Sequence, residues 1–355
     1  MKYTLEPTEF SAVALYEEGR QVIQDQHKDA EKSKIHTLRG GSAGILLPDG
    51  SVIGQSPWAV LARYLGYQLP IQPKSLDIFD GGFKNEIMWE KYLKARGTSF
   101  TGEENYPLKY VVNSSSDYEL PTKLHNKADC TGRPDLIILR KGTTVPVMGV
   151  ELKGVMSVGT AADVFYGDKP KDDNFIQACH YAYKFNLPWI LAYTSESIFK
   201  TDFWNKKKYG VDQVDPFRKE FKIGCEEGKF YYITEAGVKV DTYVTTEGID
   251  NYYLAILESA KQKDISWMRF ASHDIYGNPI NFDLNLYDKL CCLVNPNTSF
   301  DIWLEGVKQA TSQTKYIQAK KIGKDQKFRV EENGEVLETF NNLTEARAYI
   351  FGGKS

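Results

Sequence analysis

The residues best suited by type and spacing to do chemistry lie in GRPDLIILRKGTTVPVMGVELK, residues 132–153. Arg133–Arg140 and Val145–Lys153 are rich in β-branched residues and read as two strands joined in a hairpin. With its turn centred on Thr143, Asp135 stands directly opposite Glu151. Opposed residues of an antiparallel pair have Cβ atoms about 5 Å apart, and like charges there destabilise the pair. Two facing carboxylates therefore call for a neutralising partner, and hard oxygen donors of this kind suit Mg2+ or Mn2+ better than zinc. Side chains alternate along a strand, so Glu151 and Lys153 share one face while Leu152 turns into the core. A charged lysine cannot ligate a metal. It can orient an attacking water and stabilise charge that develops on a phosphate. The competing reading is an ordinary hairpin edge with surface charges.

Helices must flank this hairpin. Ser56-Pro57 supplies an N-cap and a helix-opening proline for Trp58–Leu65, closed by Gly66. Asp80 caps a second helix, Phe83–Arg96, closed by Gly97, which places Glu86 in the helix before the hairpin. Asp173–Asn186 reads as a helix stopped by Pro188, and Trp189–Thr194 as the strand that follows. On that helix Gln177 and Tyr181 are four apart and share a face. Taken singly, Glu86 is a solvated helical position, Gln177 a polar edge, Tyr181 a core aromatic and His180 packing. Further on, residues 229–244 suggest a hairpin, and 249–262 and 301–316 suggest helices.

In chain order, Glu86, Pro134-Asp135, Glu151-Leu152-Lys153 and Gln177-x-x-x-Tyr181 resemble the PD-(D/E)xK nuclease superfamily, in particular its RecB-like and phage recombination exonuclease branch, over residues 54–194. The resemblance implies an α/β fold with a restriction-endonuclease-like core: helix, β-hairpin, helix, strand, with a mixed central sheet flanked by helices. It implies that Asp135, Glu151 and the main-chain carbonyl of Leu152 hold Mg2+ or Mn2+, with Glu86 as an auxiliary ligand and Lys153 as the catalytic lysine. Gln177 and Tyr181 would support the active site and the nucleic-acid strand. Gly54-Gln-Ser56-Pro-Trp58 with Arg63 is similar, more loosely, to the segment whose Ser and Arg meet a terminal phosphate. Arg133 would join Arg140, Lys141 and Lys153 in a confined basic groove for substrate. The activity implied is metal-dependent hydrolysis of DNA phosphodiesters by an exonuclease acting on duplex ends or single strands in viral or bacterial recombination and repair. A restriction-type endonuclease and a catalytically silent DNA-binding module are the alternatives. Candidate partners beyond DNA are a second copy of the chain and a recombination partner protein.

Composition limits the rest. The chain has 355 residues, with 44 Lys+Arg against 47 Asp+Glu, so a net charge of −3 argues against holding nucleic acid by bulk charge and leaves room for a local basic groove. The longest apolar run, Leu187–Tyr193, is far too short for a membrane span, and the N-terminus lacks a basic start and an apolar core. The five cysteines follow neither a disulfide nor a zinc spacing, which fits a reducing cytoplasm, and the resemblance implies that of a bacterium or a phage-infected host. They also lack the clustering that holds an iron–sulfur centre in some relatives, so no cluster is expected. No Walker loop is present, so no nucleotide cofactor is expected. The nuclease domain with its elaborations is expected over residues 1–316. A Lys-rich linker, residues 317–326, then leads to a small ββα appendix over 327–355, with strands Phe328–Glu331 and Val336–Phe340 and a helix capped by Asn342. Composition leaves this appendix three roles: a contact between copies, an end-cap or a DNA-contacting arm.

Overall fold

The computed structural model describes residues 38–67, 81–82, 84–89, 108–112, 120–124, 128–132, 134–140, 146–155, 158–195, 218–280, 299–312, 315–322, 325–332, 335–342, 345–346 and 349. Its strands, in chain order, are β1 Leu38–Arg39, β2 Gly44–Leu46, β3 Val52–Gly54, β4 Leu108–Val112, β5 Leu120–Leu124, β6 Ala128–Gly132, β7 Leu136–Arg140, β8 Pro146–Gly154, β9 Trp189–Thr194, β10 Arg218–Glu226, β11 Lys229–Ile233, β12 Lys239–Thr245, β13 Lys315–Ile322, β14 Asp325–Glu332 and β15 Glu335–Phe340. The helices are α1 Pro57–Tyr64, α2 Val158–Phe165, α3 Asp172–Phe185, α4 Thr246–Gln262 and α5 Phe300–Ser312. A shorter helical piece covers residues 84–89.

The chain is mixed α/β. Its central sheet has seven strands in the order β12-β11-β10-β9-β8-β7-β4 among the described residues. β8 and β9 run parallel, joined by a crossover that carries α2 and α3, and the flanking pairs are antiparallel. The alternation of strand and helix patterns in the sequence reads as α/β, and the mixed sheet flanked by helices is what the resemblance implies. Smaller sheets, β1-β6-β5 and β2-β3, pack alongside.

One strand expectation changes. The strand expected over Arg133–Arg140 begins later: β6 ends at Gly132 and β7 begins at Leu136, with Pro134-Asp135 ahead of it. Proline has no N–H to give to a ladder, which favours a break there. Asp135 therefore lies one residue before β7 instead of within the ladder. The expected register holds where the strands pair: Leu136 opposes Val150, Ile137 opposes Gly149 and Ile138 opposes Met148. The pairing then shifts, so that Leu139 opposes Pro146. The turn at Thr143 lies outside the described residues, as do the Asp80 cap and the Gly97 end of the second helix.

The two faces of the sheet are covered differently. Leu136, Val150, Leu152 and Ala192 form one small core, against which Trp89 packs from the helical piece 84–89. Trp89 Nε1 also donates to Thr194 Oγ1 at 2.9 Å, tying that piece to β9. The opposite face meets α3, whose Phe175, Ile176, Ala178 and Cys179 are buried with Leu191 and Tyr193 in the main core. α3 begins with Asp172 and Asp173 at its positive end and closes at Asn186 in the left-handed conformation, φ 52°. α4, capped by Thr245, locks to it through a buried charge pair. Lys184 Nζ lies 2.6 Å from Asp250 Oδ1, and Tyr183 OH donates to Asp250 Oδ2 at 2.6 Å. Both oxygens of this fully buried carboxylate are partnered, the condition under which a buried ion pair is tolerated.

The C-terminal unit differs from expectation. The segment expected as a linker, 317–326, is largely strand: β13 pairs with β14 from Lys315–Glu332 to Ile322–Asp325, making a three-stranded antiparallel sheet, β13-β14-β15, where two strands were expected. Its alternation of Tyr316, Gln318 and Lys320 with Ile317 and Ala319 is a strand pattern masked by the high lysine content. Asn342 caps the helix as expected, its Oδ1 accepting from Glu345 N at 2.9 Å.

Close packing limits substitution next to Asp135. A Cβ on Gly132 would lie 2.5 Å from the Tyr181 ring, and one on Gly40 would meet the same ring from another side at 2.5 Å. Gly132→Ala is expected to displace Tyr181 and to cost about 1–3 kcal/mol of stability. Urea denaturation measures this as a lower midpoint with little change in slope.

Candidate metal-dependent active site

Glu151 and Lys153 sit two residues apart on β8 and emerge on the face covered by α3. Lys153 Nζ donates to Glu151 Oε1 at 2.7 Å and to Gln177 Oε1 at 3.0 Å. Gln177 Nε2 in turn donates to Tyr181 OH at 3.5 Å. Strand alternation and the helical four-residue repeat thus bring together residues from β8 and α3 in one row. Asp135 joins from the far side of the hairpin: its Oδ2 accepts from Leu152 N at 2.7 Å, which pins the carboxylate beside the strand that carries Glu151.

Electrostatics set this row apart from a surface hairpin edge. The Glu151 side chain is 3% exposed, and its Oε2 has no hydrogen-bond partner. Burial, followed by the nearby Asp135 charge, pushes its carboxyl up to about 8 against the pull of Lys153. Burial works against the charge on Lys153, but Glu151 and Asp135 outweigh it and hold the ammonium above its ordinary value. Burial, and then Glu151, push the Tyr181 hydroxyl far up, so it stays a proton donor. The Tyr181 ring is buried against Trp189 and His180, so Tyr181 is both a core aromatic and a support for Gln177.

These residues fit a divalent cation. Among the described residues the buried Glu151 Oε2 has no hydrogen-bond partner, the carboxyl feels the Asp135 charge, and Leu152 follows it on β8. Among the described residues no group of three or more His, Cys, Asp or Glu side chains is arranged to hold a metal ion. Two carboxylates completed by water and phosphate oxygens are nevertheless an ordinary Mg2+ environment. Glu86 comes from the opposite layer, on the helical piece that packs through Trp89. Its charge is felt at Glu151, where it adds to the upward push on the carboxyl.

The remaining expected residues lie elsewhere or are not described. Ser56 is buried and its Oγ caps α1, accepting from Ala59 N at 3.3 Å, while Arg63 Nε donates to Ala59 O at 3.3 Å within the same helix. Arg133 and Lys141 lie outside the described residues, and of the Arg140 side chain nothing is described. His180 is fully buried, and burial pushes its imidazole down to about 3, so it packs as a neutral ring.

The structure adds residues that the motifs did not include. Asp173 helps hold the charge on Lys153. It is four residues before Gln177 on α3, so helical periodicity could have placed it there. It also lines a cleft of about 570 Å³ with Gly54, Gln55, Lys169, Lys171 and His273. Asn85, buried with an unpartnered Nδ2, faces Gly154 at the end of β8. Nothing in the local sequence marks it. No family model, no curated protein and no solved structure matches the chain.

Two outcomes follow from these charges. Glu151→Gln keeps an acceptor for Lys153 and removes the buried charge, so it is expected to raise the melting temperature in EDTA. Millimolar Mg2+ should stabilise the unaltered chain and leave the variant unmoved, as differential scanning fluorimetry would show. Asp172 is a second case: burial, then repulsion from Asp274 and Asp173, push its carboxyl up to about 6 against a bond from Ile275 N. A carboxyl raised on folding binds protons that the unfolded chain does not, so its contribution falls as pH rises from about 4 through 6. Asp172→Asn should flatten the stability profile across that window and stabilise the protein at pH 7.5, by on the order of 1 kcal/mol after solvent screening.

Proposed function

We propose that this chain is a divalent-metal-dependent deoxyribonuclease that hydrolyses DNA phosphodiesters. The observation that carries the reading is the row Asp135, Glu151, Lys153, Gln177: a desolvated glutamate with one unpartnered oxygen, beside a lysine whose ammonium is fixed between Glu151 and Gln177. Asp135, Glu151 and the Leu152 carbonyl would hold the cation, with Glu86 adding negative field from behind. Bound there, Mg2+ would supply Lewis-acid polarisation of a phosphate and neutralisation of its charge.

The chain's own residues supply the rest. Gln177 Oε1 and Glu151 Oε1 hold the Lys153 ammonium in place, so its remaining N–H can orient a water toward phosphorus or bond an oxygen on which charge develops. Because the neighbouring carboxylates keep Lys153 protonated, it acts as a positive donor and not as a general base. The Tyr181 hydroxyl accepts from Gln177 Nε2, which keeps the amide turned so that its Oε1 faces Lys153. With the cation bound, a phosphate reaching this row would meet fixed positive charge where solvent access is low and such interactions are strongest.

The resemblance to the RecB-like and phage recombination branch supports action on DNA ends, in recombination or repair. End-labelled linear duplex and covalently closed circular DNA, incubated with Mg2+, Mn2+ or EDTA, test both parts. Progressive shortening of the linear duplex with a divalent cation is expected, with the circle resistant and with Lys153→Ala reducing the rate at least 100-fold. Cleavage retained by Lys153→Ala or Asp135→Ala would sink the reading. Discrete bands from the circle would instead identify a restriction-type endonuclease.

A further inference from the structure

The C-terminal sheet has its own core. Phe328, Val330 and Ala346 are buried together, with Phe340 packed against them, apart from the main cluster. Strand alternation fixes what this leaves. Phe328 and Val330 face the helix, so Lys327 and Arg329, between and beside them on β14, belong to the other face of the sheet. The register extends that face to both neighbours. Position 318 opposes Arg329 and position 320 opposes Lys327 on β13, while Thr339 opposes Arg329 on β15.

The centre of this open face is therefore positive. Lys320 and Lys327 stand directly opposed, the like-charge arrangement that destabilises a pair unless an anion lies over it. Among the described residues, Lys327 bonds Asn341 and not a carboxylate, and Arg329 Nε has no partner. The acids of the same face are at its ends: position 331 opposes Tyr316 and position 325 opposes Ile322. Lys184, Lys219 and Lys239 elsewhere in the protein each have a carboxylate within salt-bridge distance. Here Lys327 and Arg329 hold the centre of the row, positions 325 and 331 its two ends, and positions 318 and 339 stand in register beside Arg329.

We propose that the open face of the β13-β14-β15 sheet binds the phosphate backbone of duplex DNA, separately from the metal-dependent site. The occupant is chosen by charge and form. Regularly spaced cations across a short antiparallel sheet match a polyanion with evenly spaced phosphates, and sheets of this kind are accommodated in a DNA groove. Such a surface would hold the substrate while the hydrolytic site works elsewhere on it.

The test is fluorescence anisotropy of a labelled, hairpin-capped duplex with the full-length chain in EDTA, over a series of salt concentrations. Binding is read without the metal, so a chain that binds in EDTA but does not cleave once Mg2+ is added defeats the nuclease reading alone. Lys327→Glu with Arg329→Glu is expected to weaken binding about tenfold or more. It should also lower the slope of log K against log salt by about two, since each lost phosphate contact removes roughly one counterion. Lys308→Glu, a single charge reversal on exposed α5, should alter neither. Should the double variant lose its fold by circular dichroism, Lys320→Glu replaces it, with an expected drop in slope of about one. Unchanged affinity and slope in a folded variant, or no binding by the unaltered chain, would overturn the proposal. Competition by polyglutamate as effective as by duplex DNA would overturn it too, by showing that the face takes acidic chains in general.

Discussion

A single carboxylate is the constraint around which the site is built. Glu151 stands on a central strand with its side chain removed from water, next to Asp135, and with one oxygen lacking a partner. An ionised acid in such a place is unfavourable unless positive charge is brought to it. The fold brings part of it. Lys153 comes from the same face of β8, and Gln177 from α3 fixes the ammonium from the other side. What the protein groups leave unsatisfied is one oxygen, and this is the vacancy in charge that a divalent cation would fill in the proposed chemistry.

The rest of the architecture keeps these groups in position. Gln177 is useful only if α3 cannot slide along the sheet. The helix is held by its buried apolar face and by the Lys184–Asp250–Tyr183 cluster that fastens it to α4. That cluster is a buried charge pair with its carboxylate oxygens both bonded, unlike Glu151. The contrast separates structural from functional use of the same chemistry: one acid is fully satisfied and rigid, the other is left short of a partner. Burial of both sheet faces adds to this, because a one-residue slip in β8 would exchange Glu151 for Leu152.

The chain also divides its polar work between separate cores. The main cluster supports the row on β8, while the three-stranded sheet near the C-terminus has a small core of its own. No helix among the described residues is long and apolar enough to cross a membrane. The near-neutral net charge of −3 conceals an uneven distribution, with acids gathered at the proposed metal site and, at the centre of the C-terminal sheet, Lys327 and Arg329, which have no carboxylate partner among the described residues. A bulk count averages these away, although it is local fields that act on a charged ligand.

What the sequence alone determined was local and periodic. Period-two alternation placed Glu151 and Lys153 on one face, a four-residue repeat put Gln177 with Tyr181, and the hairpin register between residues 136 and 150 followed from a turn at Thr143. Strand β9, helix α3 and the Ser56 cap were also readable, because each has its own start and stop signals. The tertiary structure decided the rest. It set the row from Lys153 to Gln177 across the β8–α3 crossover, the distance of Glu86 on the other layer, the part played by Asp173, and the third strand of the C-terminal sheet. It also assigned Ser56 to a buried cap and Asp135 to the residue before the ladder. These depend on which faces pack together and how deeply they are buried. Burial alters a carboxylate's energy far more than its neighbours in the chain do, and a sequence pattern does not specify it.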